Sequence, residues 1–300
     1  MLSINDFKPI DLEDKHLFDK HYAKYPPIHS DNLFTTMISW KYYSNYHYVF
    51  IDENLIIFTK INGQLRFRPP SGKHDKNIFS QILKLAKKEN SDYPFGVIDL
   101  ETKDWLSQNF PKLKFEEHRD YFEYVYLASD LAELSGSNYS KIRNRLNKFK
   151  KNNLYELENI SEDNINEIRA FLDRWCLWRD CESDNLLENE RKAILYSMSH
   201  FFDLDLSGIA IRIHGKIEAI AVYERMNPDT AVVHYEKGSP DYDGIYKAIN
   251  METAKQIQKE FRYINRESDM GISGLRKAKL SYRPHHMVEV YHVSKQNILF

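Results

Sequence analysis

His234 and Glu236 stand two residues apart at the end of an apolar, strand-like stretch, separated by Tyr235. Alternation along a strand puts both on one face, where either could lie in a cleft as a proton acceptor. Tyr246 and Asn250 follow four residues apart on a helical pattern, so a hydroxyl able to protonate a leaving oxygen shares a face with an amide. Farther on, residues 265–284 pass from an apolar strand through an acidic, glycine-bracketed turn into a short cationic helix that Pro284 stops. Arg276, Lys277 and Lys279 fall in its first turns. Cations there oppose the helix dipole, so they read as partners for an anion rather than as helix stabilisers. A solvated basic helix is the plain alternative.

The elements that must hold these groups recur in two halves. In the first, residues 46–51 and 55–61 read as strands, and Asn62-Gly63 is a two-residue hairpin turn because both positions tolerate positive φ. Residues 64–68 continue the ladder, residues 69–73 form a proline/glycine loop, 75–89 a helix and 95–100 a strand. The second half repeats the order: strand 208–213, a turn at His214-Gly215, strands 217–225 and 231–235, loop 236–240, helix 244–261 and strand 263–265. Helical material opens each half, at 31–41 in one and at 162–179 and 185–202 in the other. Hairpin, strand, loop, helix, strand is the order of the GNAT-type acyltransferase core. There a mixed sheet splays and the next helix begins in the gap, its N-terminus open to a phosphate or a carbonyl. The expected fold class is α/β (α+β), tandem GNAT-like units, each a mixed sheet flanked by helices; any α+β sandwich with hairpins is the plain alternative.

Between the halves, Tyr139, Ile142, Leu146 and Phe149 make a buried helical stripe. Lys141, Arg143, Arg145, Lys148, Lys150 and Lys151 cover the other faces with no acid among them. A polyanion such as RNA or a phospholipid headgroup would relieve their repulsion; a solvated connecting helix is the bland reading. Over the whole chain, 42 Lys+Arg against 44 Asp+Glu argue against a generic nucleic-acid coat while leaving room for a local basic patch. A 42% hydrophobic content excludes a disordered chain. The start of the chain has no apolar signal-peptide region and no stretch reaches membrane-spanning length, so a soluble cytoplasmic protein is expected. Cys176 and Cys181, without histidine partners, read as reduced thiols on a helix, and no metal site is expected.

Three blocks carry a resemblance. The first holds Tyr121-Phe122-Glu123-Tyr124-Val125-Tyr126-Leu127, Asp130-Leu131 and residues 138–149. The second is Gly244-Ile245-Tyr246-Lys247-Ala248-Ile249-Asn250. The third runs from Ile264-Asn265-Arg266-Glu267 through Gly271, Gly274-Leu275-Arg276-Lys277-Ala278-Lys279 and Pro284. Together they resemble the phosphatidylglycerol lysyltransferase C-terminal domain family, over roughly residues 33–293 and most specifically in the third block. The resemblance implies a tandem GNAT fold, similar to that of the peptidoglycan-bridge-forming aminoacyltransferases. It also implies transfer of an amino acid from aminoacyl-tRNA. The membrane-embedded part of the characterised members has no counterpart here, which puts a lipid acceptor in question.

Such a transfer is amine or hydroxyl attack on an activated ester. It calls for positioning, a proton acceptor and oxyanion stabilisation. There is no Gly-x-Ser-x-Gly elbow, so direct transfer in a ternary complex is expected. Glu236, His234, Tyr246 and Asn250 are the catalytic candidates. Lys237, Arg276, Lys277 and Lys279 would hold phosphates of the tRNA acceptor end or of a cofactor. Glu267 and Asp269 would take the donor's α-amine, with Arg266 a further substrate-binding group. Lys141, Arg143, Arg145 and Lys148 would touch nucleic acid. Acyl-CoA is the competing donor, disfavoured because the loop holding Gly238 and Gly244 lacks the usual pyrophosphate pattern. A non-catalytic RNA-binding or adaptor protein is the third reading. The acceptor is a small molecule, a peptide or a lipid headgroup, and the oligomeric state is open. The expected organisation is 1–127 as a scaffold unit, 128–154 as the basic connecting helix and 155–300 as the unit with the active cleft.

Overall fold

The computed structural model describes residues 2–89, 92–181 and 184–298. By internal contacts the chain forms two compact units. The first holds residues 1–123, 268–271 and 288–300, and the second 124–267 and 272–287. The strands are β1 (Lys8–Pro9), β2 (His47–Ile51), β3 (Asn54–Ile61), β4 (Gln64–Phe67), β5 (Phe95–Asp99), β6 (Glu116–Glu117), β7 (Glu123–Leu127), β8 (Glu156–Asn159), β9 (Ser207–Ile213), β10 (Lys216–Arg225), β11 (Thr230–Gly238), β12 (Tyr263–Ser268), β13 (His286–Val288) and β14 (Val290–Val293). The helices are α1 (Lys15–Tyr22), α2 (Phe34–Ser39), α3 (Lys41–Ser44), α4 (Lys76–Lys88), α5 (Leu100–Asn109), α6 (Ala128–Glu133), α7 (Ser140–Asn152), α8 (Ile165–Arg179), α9 (Asn185–Ser199), α10 (Ile245–Ile257) and α11 (Ser273–Ser281).

The first unit's sheet has the order β1-β2-β3-β4-β5-β14-β6. β1 to β4 form an antiparallel meander. Asn62 and Gly63, with φ of 50° and 78°, close the β3–β4 hairpin as their types demand. β5 then lies parallel to β4 through the single pair Phe67/Phe95. α4 starts at Asp75, whose carboxylate accepts the N–H groups of Asn77 and Ile78. It buries Ile78, Phe79, Ile82, Leu83 and Ala86 against Phe58, Phe67 and Phe95 of the sheet. The sequence reading assigned residues 155–300 whole to the second unit. β14 instead completes the first sheet, antiparallel to both β5 and β6.

The second unit's sheet has the order β13-β7-β12-β11-β10-β9-β8. β8 to β11 are antiparallel, and β11 and β12 are parallel from Thr230/Tyr263 to Val232/Asn265. Registered pairing ends there, although β11 runs to Gly238 and β12 to Ser268. Their C-terminal halves diverge, and α10 begins just beyond. Small residues on the sheet (Ala219, Ala221, Ala231) let α10 settle on it through Ile245, Ala248, Ile249, Ala254 and Ile257. Residues 236–238, read from sequence as loop, are strand, because β10 pairs with them at Ala221/Glu236, Ile220/Lys237 and Ala219/Gly238. Each unit is thus a mixed sheet flanked by helices.

Gly244 fixes the start of α10. Its φ is 98°, and a Cβ placed there would come within 2.9 Å of the Arg145 carbonyl oxygen and 3.0 Å of Phe149 Cβ on α7. Gly244→Ala therefore meets both backbone strain and a clash, with an expected loss of about 1–3 kcal/mol. Urea unfolding measures it; an unchanged midpoint would show that α7 yields freely.

One expectation is corrected outright. Cys176 and Cys181 are not reduced thiols but a disulfide. Asp180, with φ of 51°, ends α8 in the left-handed conformation and folds the chain back, bringing the two Cα atoms to 5.3 Å. Among the described residues no helix is long and apolar enough to cross a membrane.

Candidate active site of the second unit

The divergence of β11 from β12 is filled by charge. Glu236 on β11 accepts from Arg266 on β12, whose Nη2 lies 3.2 and 3.0 Å from the two carboxylate oxygens. Asn250, on the α10 face turned to β11, donates its Nδ2–H to the same carboxylate at 3.2 Å. Arg266 lies over two rings, Tyr126 at 5.8 Å and Tyr282 at 5.0 Å. Lys247 Nζ stands 4.6 Å from the Tyr282 ring centre. Burial, and then the adjoining Arg266 guanidinium, hold the Lys247 ammonium below its ordinary pKa, with Glu236 pulling the other way. Burial keeps the Tyr126 and Tyr282 hydroxyls protonated.

Among the described residues, two buried polar atoms of this cluster have no hydrogen-bond partner: Asn250 Oδ1, an acceptor, and Arg266 Nη1, a donor. Each leaves a desolvation cost of about 1–3 kcal/mol unmet. Both side chains are anchored through their other ends on Glu236. The cluster is therefore shaped for a ligand that offers an N–H group to one atom and an oxygen to the other.

His234 is not part of it. Its Nδ1 is 2.8 Å from Glu267 and its Nε2 2.8 Å from Glu224. Burial works against the imidazolium, but the two carboxylates outweigh it and push the pKa up to about 10. At neutral pH His234 already carries the proton it would have to accept. Tyr246, half-exposed, accepts a hydrogen bond from Trp175 Nε1 at 3.2 Å, and burial first of all raises its hydroxyl pKa. Lys237 is buried, paired with Glu190 at 2.8 Å and 4.3 Å from the Trp175 ring centre.

The end of β12 and the turn after it scatter the remaining candidates. Glu267 has φ of 57°. The buried Lys279 of α11 donates to the carbonyls of Arg266 and Glu267 and so braces that strained residue. Asp269 is fully buried within the first unit, 3.4 Å from Arg119. Arg276 is half-buried at the start of α11 and Lys277 beside it is exposed.

The cations of α7 are matched from outside their own helix. Arg145 and Lys148 reach Asp243 at 2.7 and 3.4 Å, and Lys150 reaches Glu252 at 3.8 Å. Arg143 donates to the carbonyls of Leu134 and Gly136, and Lys141 is exposed. For Arg145, Lys148 and Lys150 the repulsion read from the sequence is thus compensated by acids around α10. Lys247, Tyr126, Tyr282 and Glu224 were not picked out from sequence. For Lys247 the signal was present: it lies three residues before Asn250 and so shares its helix face.

The family model described as "Phosphatidylglycerol lysyltransferase, C-terminal" matches residues 22–294. No curated protein matches the chain. A conserved protein of unknown function from Bacteroides thetaiotaomicron is 33% identical, with 96% of this chain and 98% of that chain covered and a TM-score of 0.88. L-PGS from Bacillus licheniformis is 16% identical over 96% of this chain and 94% of that chain, with a TM-score of 0.65. FemX is 10% identical over 97% and 98%, with a TM-score of 0.57.

Proposed function

Because this chain belongs to the phosphatidylglycerol lysyltransferase C-terminal family, we propose that its second unit is an acyltransferase moving the aminoacyl group of an aminoacyl-tRNA to an amine or hydroxyl acceptor. The observation that carries this is the pair of unpartnered atoms flanking Glu236, the acceptor Asn250 Oδ1 and the donor Arg266 Nη1. An aminoacyl ester has both complements, an α-ammonium for the amide oxygen and an ester carbonyl for the guanidinium. An acyl-CoA thioester supplies only the carbonyl. Similarity in fold to L-PGS and FemX supports the same reading.

The acceptor's lone pair attacks the ester carbonyl carbon and its electrons move onto oxygen, where Arg266 Nη1 meets the developing charge. The C–O bond to the tRNA ribose then breaks. The proton lost by the acceptor passes to Glu236, the carboxylate at the cleft, since His234 is already charged. The departing oxygen takes a proton from the Tyr246 hydroxyl, which burial keeps protonated. Arg276 and Lys277, at the start of α11, supply charge for the tRNA phosphates.

The test is binding of the full chain to charged tRNA, uncharged tRNA and acetyl-coenzyme A across a salt series. Charged tRNA is expected to bind most tightly and to weaken as salt rises. Arg276→Ala with Lys277→Ala should weaken both tRNAs by about tenfold. Asn250→Ala should erase the preference for charged over uncharged tRNA while leaving the weaker binding intact. Binding of acetyl-coenzyme A alone, or of no donor, overturns the reading.

A further inference from the structure

The first unit has a cleft of its own, ≈ 270 Å³, where β4 and β5 keep only the Phe67/Phe95 pair. Leu55, Ile57 and Pro70 give it an apolar floor, and Tyr22 and Tyr25 stand on its wall. Its charges are uneven. The lysine on the wall, Lys24, is turned to Glu53 and lies 5.3 Å from the Tyr25 ring centre. The wall histidine His29 is buried 3.4 Å from the buried Glu123, so its charge, when present, is matched at once. The His74 ring lies tilted by 32° against Trp105, with ring centres 4.8 Å apart.

Asp99 and Glu101 are the carboxylates lining the same cleft. The lysine nearest them in sequence, Lys103, is committed to Asp104 at 3.8 Å and to the Tyr291 ring at 4.2 Å. Asp99 caps α5, with Thr102 N–H at 2.9 Å and Thr102 Oγ1 at 2.8 Å. That leaves lone pairs on both of its oxygens. Glu101 is exposed at the rim.

The two helix starts beside the cleft are already filled by carboxylates, Asp75 on α4 and Asp99 on α5. A phosphate has no N–H groups to take there and would meet like charge. The opposite ligand fits: two carboxylates with no basic partner among the described residues, tyrosine side chains on the wall and an apolar floor suit an organic cation. The volume suits a small one, near the low end of ligand pockets.

We propose that this cleft is a binding site for a small primary ammonium on a short apolar stem, the ammonium held by Asp99 and Glu101 and the stem laid over Leu55, Ile57 and the tyrosines. The first unit is then a ligand-binding unit as well as a support. This inference stands apart from the transfer reading and does not depend on it.

Titration calorimetry of the full chain with n-pentylammonium chloride tests it, with 1-pentanol and sodium pentanoate as matched probes. The ammonium should bind about tenfold more tightly than the alcohol, with the carboxylate weakest. Glu101→Gln should cost several-fold in ammonium affinity. Asp99→Asn should do likewise while keeping α5 capped, since asparagine is an equally good cap. Neither should alter alcohol binding. Alcohol and ammonium binding alike, ammonium affinity unchanged in both variants, or no ammonium binding at concentrations on the order of 10 mM would each overturn the proposal.

Discussion

Arg266→Met is expected to cost about 3–5 kcal/mol of folding stability, because it strands the Glu236 carboxylate in a largely dry site. Arg266 and Glu236 keep side-chain exposures of only 14% and 13%, so water cannot replace the lost partner. Asn250 remains to donate one hydrogen bond, which is too little for a full charge. Glu236→Gln alone should cost less, because the amide still accepts from Arg266 and the leftover cation keeps the Tyr126 and Tyr282 rings. The double variant should recover part of the loss, since replacing a buried pair by neutral groups is often near neutral. Urea unfolding of the two single variants and the double gives the coupling, expected at roughly 1–3 kcal/mol. If the single losses simply add, the pair is not the element that holds the diverging strands. Glu236→Gln should also abolish transfer while Tm stays close to the parent, which separates the site's chemistry from its folding.

The sequence made the scaffold of this site legible and its electrostatics only partly so. Long elements with a clear period were read within a few residues: α4, α8, α9, α10 and the β2–β4 and β9–β10 hairpins. Their signals are local, an apolar stripe or a two-residue turn. Short edge strands such as β1, β6 and β13 carry two or three residues each and too little pattern to see. β14 completes a sheet whose other strands lie some 170 residues or more upstream, and no local pattern encodes that partner. The predicted helix at 31–41 breaks at Trp40 (φ −94°, ψ 12°), which separates α2 from α3.

The same distinction sorts the site residues. Strand alternation put His234 and Glu236 on one face of β11, but the register with β10 slips between Val222/Tyr235 and Tyr223/Val233, so His234 is a bulged residue and the alternation breaks there. Helical spacing put Tyr246 four residues before Asn250 on α10. Alternation cannot say that His234 will meet two carboxylates while Glu236 meets an arginine. Those partners come from β10 and β12, at sequence separations of 10, 30 and 33 residues. Cations of one sign on α7 looked uncompensated for the same reason: Asp243 and Glu252 lie about a hundred residues away along the chain. A charge count along one helix is blind to neighbours that arrive by tertiary packing.

His234→Leu should destabilise the second unit by about 3–5 kcal/mol at pH 6, since it leaves Glu224 and Glu267 facing each other without the imidazolium between them. The pH dependence identifies the cause. The folded imidazole is raised to about 10 from an unfolded value of 6.5. A raised pKa means that the folded state holds the proton more tightly than the unfolded chain, so the gain is complete below pH 6.5. Between pH 6.5 and 10 the unfolded imidazole is neutral and the folded one still charged, and the gain shrinks by about 1.4 kcal/mol per pH unit. The stability difference between parent and His234→Leu should therefore be largest near pH 6 and nearly gone near pH 10. Glu224→Gln, which keeps one carboxylate and a hydrogen-bond acceptor, should show a smaller loss over a narrower range. Denaturant unfolding at intervals across pH 6–10 makes the comparison. A difference that stays flat with pH would mean that His234 is held as a neutral ring, and it would return His234 to the set of groups able to accept a proton in the cleft.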